Sequence, residues 1–260
     1  MKKYLKIFKI SIKNNVTYFK DFIIGNVFTV IIVIIFFFLW KKLYAQNIKT
    51  GFTFQEMMWY LIVGESFTLN YNRIHRNVAQ DIKSGDIAYK INKPYNYTLY
   101  ILFDTLGRNL LDFYISCFIS FAVGIALVGP IKGYKFYYLF FSMIIMLCGV
   151  ILNHIIHITI SLSALWVEEN MPYAWIYGKI VFIFGGLLYP ISLLPKWMFK
   201  VNFYMPWSFV VYHISKTAVK FNWNDFLFTF LGQVIYILMF LFLMLTIYRR
   251  GVKMLNVNGG

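Results

Sequence analysis

Few side chains in this chain of 260 residues are equipped for chemistry, and they fall in three places. The first is Glu65, an isolated carboxylate within an apolar run, where an ionisable group lines a pathway or ties helices together. The second is Asn153 with His154 and His157. Three-residue spacing brings the two imidazoles near one helix face, half of a metal site, but no companion carboxylate or Cys cluster accompanies them. Hydrogen bonding between helices accounts for them without a metal. The third is the polar stretch from Gln80 to Pro94, in which Asp81 and Asp86 stand against Lys83, Lys90 and Lys93. Both signs in so short a stretch mark a structured contact surface; a bare cationic tether would carry one sign. Gly85-Asp86 reads as a turn between two short helical pieces, and Pro94 stops the second. No loop offers a nucleophile, base and acid together, so no catalytic residue is expected. The Gly178-Lys179 pair has Tyr173 where a phosphate-binding loop needs its first glycine and Ile180 where it needs Ser or Thr. The chain therefore carries no nucleotide, cofactor or metal site that its sequence reveals.

The elements that position these groups are dictated by composition. Hydrophobic residues make up 60% of the chain and charged ones 13%, and the mean hydropathy is +0.65. Several apolar runs reach the roughly 20 residues that a helix needs to cross a hydrocarbon core of about 30 Å. The runs are continuous, not alternating, and in lipid the backbone must satisfy itself, so the fold class is an all-α integral membrane protein. The net charge of +15 does not point to nucleic acid. The lysines lie between apolar runs, where flanking cations anchor helices to headgroups. Cys117 and Cys148 both fall inside apolar runs, which argues against a structural disulfide. No small-residue cleavage site follows the basic N-terminus, so no signal peptide is read there. Aromatic residues make up 21% and are expected to face lipid or its borders. The excess of Lys, Asn, Ile, Phe and Tyr is that of an AT-rich bacterial genome.

Six spans are expected. Residues 1–21 hold a basic amphipathic helix, with Leu5, Phe8, Ile12, Val16 and Phe19 on one stripe and lysines beside it, lying on the cytosolic leaflet. Residues 22–75 hold spans one and two. Fifteen of the nineteen residues Phe22–Trp40 are Leu, Ile, Phe or Val, which favours insertion by roughly 5–9 kcal/mol. The second span, near Gln55–Arg73, is weaker because a central Glu65 costs about 2.5–3.5 kcal/mol, so it depends on neighbours and faces protein or a wet cavity. Residues 76–98 form a cytosolic loop. Residues 99–194 hold spans three to five, to about Val128, from Tyr137 to Trp166, and from Tyr173 to Leu194. At the start of span three, Asp104, Arg108 and Asp112 share one helical face, where Arg108 can neutralise either acid. Residues 195–225, with Pro195, Pro206 and several Trp and Tyr, read as short helices in or dipping into the outer interface. Residues 226–260 hold span six and a cytosolic tail, with Asn224 or Asp225 as the cap. With both termini cytosolic, sixteen of the 25 Lys and Arg fall on the inner side, as the positive-inside rule requires.

This layout resembles the permease subunits of type-2 ATP-binding-cassette exporters, over the whole chain. The most specific likeness is Ile82-Lys83-Ser84-Gly85-Asp86-Ile87 followed by Asn92-Lys93-Pro94, similar to the loop of a poorly characterised bacterial branch in which I-x-x-G-x-[ILV] precedes a [KR]-P pair. Asn92 stands where that branch carries a hydrophobic residue. Tyr248-Arg249-Arg250-Gly251-Val252-Lys253 and Gly259-Gly260 fit the same branch. The resemblance implies a coupling helix in the loop, docked in a groove of a separate P-loop ATPase that binds ATP and Mg. Asp81, Lys83, Gly85, Asp86, Lys90 and Lys93 would make that contact. It also implies two ATPase copies, a second permease, identical or related, and export across the bacterial cell membrane. A different class remains open, a proton- or ion-coupled carrier in which Glu65 and His154 act directly.

Overall fold

The computed structural model describes residues 2–16, 19–48, 50–68, 72–131, 133–167 and 169–258, with side chains for all of these except 16, 19–25, 67–68, 72–73 and 254–258. Lys49, Lys132, Glu168 and the Gly259-Gly260 ending lie outside the described residues. Among the described residues every regular element is helical: α1 Lys2–Val16, α2 Phe19–Ala45, α3 Phe54–Thr68, α4 Asn72–Lys83, α5 Asp86–Ile91, α6 Tyr97–Val128, α7 Phe136–Ser161, α8 Met171–Ile183, α9 Lys196–Phe203, α10 Pro206–Val210, α11 Tyr212–Val219 and α12 Trp223–Asn258, with short 3₁₀ turns at Leu162–Leu165 and Ile191–Leu193.

Among the described residues four helical segments are long and apolar enough to cross a membrane: Asn26–Ala45, Tyr97–Val128, Phe136–Leu165 and Trp223–Lys253. At 1.5 Å per residue the shortest of them reaches about 30 Å. Of the other two expected spans, the fifth is broken within the described residues. α3 has 15 residues and α8 has 13, about 20 Å each. The expected second span is described as α3 up to Thr68 and α4 from Asn72, with residues 69–71 outside the described residues. The first helical piece of the expected cytosolic loop belongs to α4, which packs into the bundle through Ile74 and Val78. α8 stops at Ile183, well short of the expected Leu194. The cause is Gly185-Gly186. Gly186 takes φ +91, and a Cβ there would lie 2.7 Å from the Tyr60 hydroxyl, so a glycine is required. Tyr60 Oη donates to Gly186 O at 2.5 Å and Tyr212 N donates to Gly185 O at 3.0 Å. The break is stitched to α3 and α11.

The bundle has two distinct ends. At one, the α4–α5 elbow, the start of α6, the 3₁₀ turn after α7 and Tyr248 of α12 share an apolar cluster around Ile87, Leu102, Ile158 and Leu165. At the other, Gln55 Nε2 donates to Val128 O at 2.8 Å, and Trp59 Nε1 donates to Gly129 O at 2.9 Å, clasping α3 to the turn after α6. Between them, Gln233 of α12 donates to Ile145 O of α7 and Phe209 O of α10, both at 3.0 Å. α12 runs along α7, while α3 packs on α2, α6 and α11.

α1 is helical where its stripe predicts a helix. It lies along α6; the residues it buries are Tyr4, Ser11 and Asn15, and Leu5 is 50% exposed. Ser11 Oγ donates to Asp104 Oδ1 at 2.5 Å. Asn15 Nδ2 donates to Arg108 O and reaches Asp112 Oδ1 at 3.3 Å. Gly107 permits the close approach: a Cβ there would lie 2.6 Å from Phe8 O. Polar, small residues therefore weld the helix to α6 and leave Leu5 and Ile10 for lipid.

Candidate functional site

The polar stretch forms a rigid elbow. Gly85, at φ +78, turns the chain from α4 into α5 in the left-handed region that glycine adopts without strain. Ala88 N donates to Gly85 O at 3.0 Å and Ser84 N to Gln80 O at 2.8 Å. Ile87 is the buried anchor of α5. After Pro94, Asn96 caps α6, its Oδ1 accepting from Thr98 N at 3.1 Å and Leu99 N at 3.2 Å, which satisfies donors that the first turn leaves unpaired.

Asp81 braces this elbow from inside. One carboxylate oxygen accepts from Lys90 Nζ at 2.6 Å and the other from Tyr97 Oη at 2.7 Å, so α4, α5 and α6 meet on one side chain. Tyr97 stacks on Tyr248 with ring centroids 6.0 Å apart, which carries the brace to α12. From α1, Lys3 donates to Pro94 O, and Tyr4 Oη accepts from Asn96 N at 2.9 Å. Of the six residues expected to meet a partner, Asp81 and Lys90 thus face one another, whereas Lys83, Gly85 and Asp86 are exposed and Lys93 half so.

The outer surface of the elbow has features that sequence reasoning did not single out. Tyr89 is 66% exposed, with Lys93 Nζ 3.9 Å from its ring centroid; the four-residue spacing was the available signal. Lys83 Nζ lies 3.2 Å from Glu169 Oε2, joining the elbow to the turn before α8. This contact, with a second hydrogen bond from Met171 N, holds the Glu169 carboxyl below its ordinary 4.5. Two open grooves flank the bridge. One, of about 420 Å³, is lined by Arg76, Gln80, Ser84 and Met171. The other, of about 460 Å³, is lined by Ile82, Leu165 and Trp166.

Behind the elbow the histidines form ties between helices. His75 of α4, which no motif or spacing singles out, places Nε2 2.6 Å from His157 Nδ1, and Ser161 Oγ is 2.7 Å from His75 Nδ1 and 2.6 Å from His157 O. A carbonyl can only accept, so the single Ser161 proton goes to it and His75 Nδ1 carries a proton toward Ser161. In the neutral form of the pair, His157 Nδ1 then donates to His75 Nε2. Asn170 Nδ2 donates to Ser161 O at 3.0 Å, and Tyr177 Oη donates to Asn153 Oδ1 at 2.9 Å. His154 bonds Asn109 through Nε2 at 2.9 Å and Val150 O through Nδ1 at 2.8 Å. The network therefore joins α4, α6, α7 and α8. Among the described residues no cluster of three or more His, Cys, Asp or Glu is placed to hold a metal ion. Glu65 is 2% exposed on α3, so it faces protein. Asp104 receives Arg108 at 2.7 Å, while Asp112 turns to Asn15.

Among known proteins, residues 19–259 match the family model described as ABC-2 family transporter protein. A comparison with curated proteins gives no match. The family match covers almost every residue from the start of α2 to the end of α12, and the apolar helices agree with it: the chain is a multi-pass membrane permease and belongs to the ABC-2 transporter family.

Proposed function

We propose that the chain is the transmembrane subunit of an ATP-driven exporter of the bacterial cell membrane. A separate P-loop ATPase, present twice, binds ATP and Mg and drives it. A second permease, identical or related, completes the pathway. In this reading the chain crosses six times: through α2, α3 with α4, α6, α7, α8 with its re-entrant continuation, and α12. Both termini and the elbow are cytosolic, and residues 190–225 lie at the outer face.

The observation that carries the reading is the division of labour within the elbow. Its inner side is bonded to α6 by Asp81. Its outer side leaves Ser84, Gly85, Asp86, Ala88 and Tyr89 exposed. A force applied there reaches α4, and through His75 and His157 it reaches α7. Lys83, Gly85, Asp86 and Lys93 are assigned to the ATPase contact together with Tyr89, and Asp81 and Lys90 to bracing. The test is co-expression with the ATPase encoded by the neighbouring reading frame. The wild-type pair should co-purify, and Tyr89→Ala with Asp86→Lys should abolish the complex at an unchanged melting temperature. A cysteine at Ser84 should react with an impermeant maleimide in inside-out vesicles only. Labelling from the outside of intact cells, or a complex indifferent to both substitutions, would refute the proposal.

The burial of Glu65 is the one observation that favours an ion-coupled carrier. Uptake driven by an imposed pH gradient without any ATPase, lost in Glu65→Gln, would establish that reading instead.

A further inference from the structure

In the half of the bundle opposite the elbow, α3, α6, α7 and α11 leave a cavity of about 280 Å³ beneath the turn after α6. Its walls include Trp59 and Val63 of α3, Phe121 of α6, Met146 of α7 and Ala218 of α11. The few polar groups nearby are already engaged. Trp59 Nε1 donates to Gly129 O at 2.9 Å, and the Tyr134 and Ser142 hydroxyls lie 3.3 Å apart. A water molecule there lacks the two to four polar partners that would hold it. The mouth is formed by Ile125 and Phe136, which are 56% and 87% exposed. Phe118 of α6 and Phe140 of α7 are exposed as well. Exposed apolar faces on two spans mean that the surroundings are hydrocarbon, so the cavity opens onto the acyl region of the bilayer.

At ~30 Å³ per water-sized heavy atom the cavity has room for about nine carbons, a segment of one aliphatic chain. Lys135 and Tyr137 stand exposed at the end of α7 beside the mouth, where a cation and an aromatic ring meet headgroups. We propose that this cavity is a binding site for one acyl chain of a bilayer phospholipid, entering laterally past Phe136 with its phosphate beside Lys135. The inference rests on the chain's embedding in the membrane and not on its partnership with an ATPase, so the two can fail separately.

The test uses the full chain in vesicles of phosphatidylethanolamine and phosphatidylglycerol containing a phospholipid with a photoactivatable diazirine midway along one chain. Irradiation followed by peptide mass spectrometry should place adducts on Met146 and Val63 as well as on lipid-facing Phe140. Ala218→Phe fills the cavity and should lower the Met146 adduct at least tenfold with Phe140 labelling unchanged. Ser142→Leu fills it from another wall and should do the same, which separates loss of the site from misfolding of one variant. Wild-type protein labelled at Phe140 but at neither Met146 nor Val63, or Met146 labelling that survives both substitutions in folded protein, would overturn the proposal.

Discussion

Replacing Asp81 by alanine tests whether the elbow is rigid because of one side chain. Two groups lose their partner. The Tyr97 hydroxyl, on a fully buried ring, loses its acceptor at 2.7 Å, and an orphaned buried hydroxyl costs about 1–3 kcal/mol. The ion pair with Lys90, whose side chains are 30% and 15% exposed, contributes about 0.5–1 kcal/mol after solvent screening. The combined loss, roughly 1.5–4 kcal/mol, falls on the junction of α4, α5 and α6 and not on the bundle core. At tenfold per 1.4 kcal/mol, local opening becomes about 10- to 700-fold more frequent. Hydrogen exchange of the Ser84 and Ala88 amides in lipid nanodiscs reads this directly, because each is bonded within the elbow and exchanges by local opening. Adding Tyr97→Phe removes the orphaned hydroxyl and should restore part of the protection. If Asp81→Ala leaves both amides within threefold of wild type, or if the second substitution makes matters worse, the bracing role is wrong.

Gly107→Val should force α1 away from α6, since a Cβ there meets Phe8 O at 2.6 Å and Ser11 Cβ at 2.9 Å. A cost of about 1–3 kcal/mol is expected, read as faster tryptic cleavage at Lys9 and Lys13, and unchanged cleavage would count against the docked helix. His75→Leu removes the ring that His157 Nδ1 meets at 2.6 Å and should destabilise the protein by about 1–3 kcal/mol. The pair His75→Leu with His157→Leu should cost less than the sum of the two single changes, as thermal unfolding in detergent will show. Lys83 first, then Met171 N, holds the Glu169 carboxyl below 4.5. The stabilisation is therefore complete at neutral pH and disappears as pH falls through that lowered folded-state value. The melting-temperature difference between wild type and Glu169→Gln should vanish in the same acidic range, and a difference that persists there would contradict the assignment.

The elbow was largely legible because its signals are local. A glycine turn, a stop at Pro94 and a reversal of charge sign act on backbone within a few residues. The inward direction of Asp81 was not legible, because both acids in the stretch carry the same chemistry and only the position of Tyr97 distinguishes them. The same holds for His75, whose partner is 82 residues away. The amphipathic stripe of α1 marks an interfacial helix but does not say which face it turns to α6. In lipid an apolar face is equally content outside, so the small and polar residues Ser11, Asn15 and Gly107 decide the contact. α8 was expected to run on through Gly185-Gly186 because its hydropathy does not fall there. It is halted by the bonds of that turn to Tyr60 and Tyr212.

The sequence by itself determined that this is a helical membrane protein with an exposed mixed-charge turn between its apolar runs, because hydrocarbon leaves the backbone no other way to satisfy its hydrogen bonds. The tertiary structure decided which polar groups brace and which are free to meet a partner, where the fifth span breaks, and that an apolar cavity lies opposite the elbow. Those outcomes depend on packing between residues far apart in the chain, and hydropathy and spacing carry no record of such pairings.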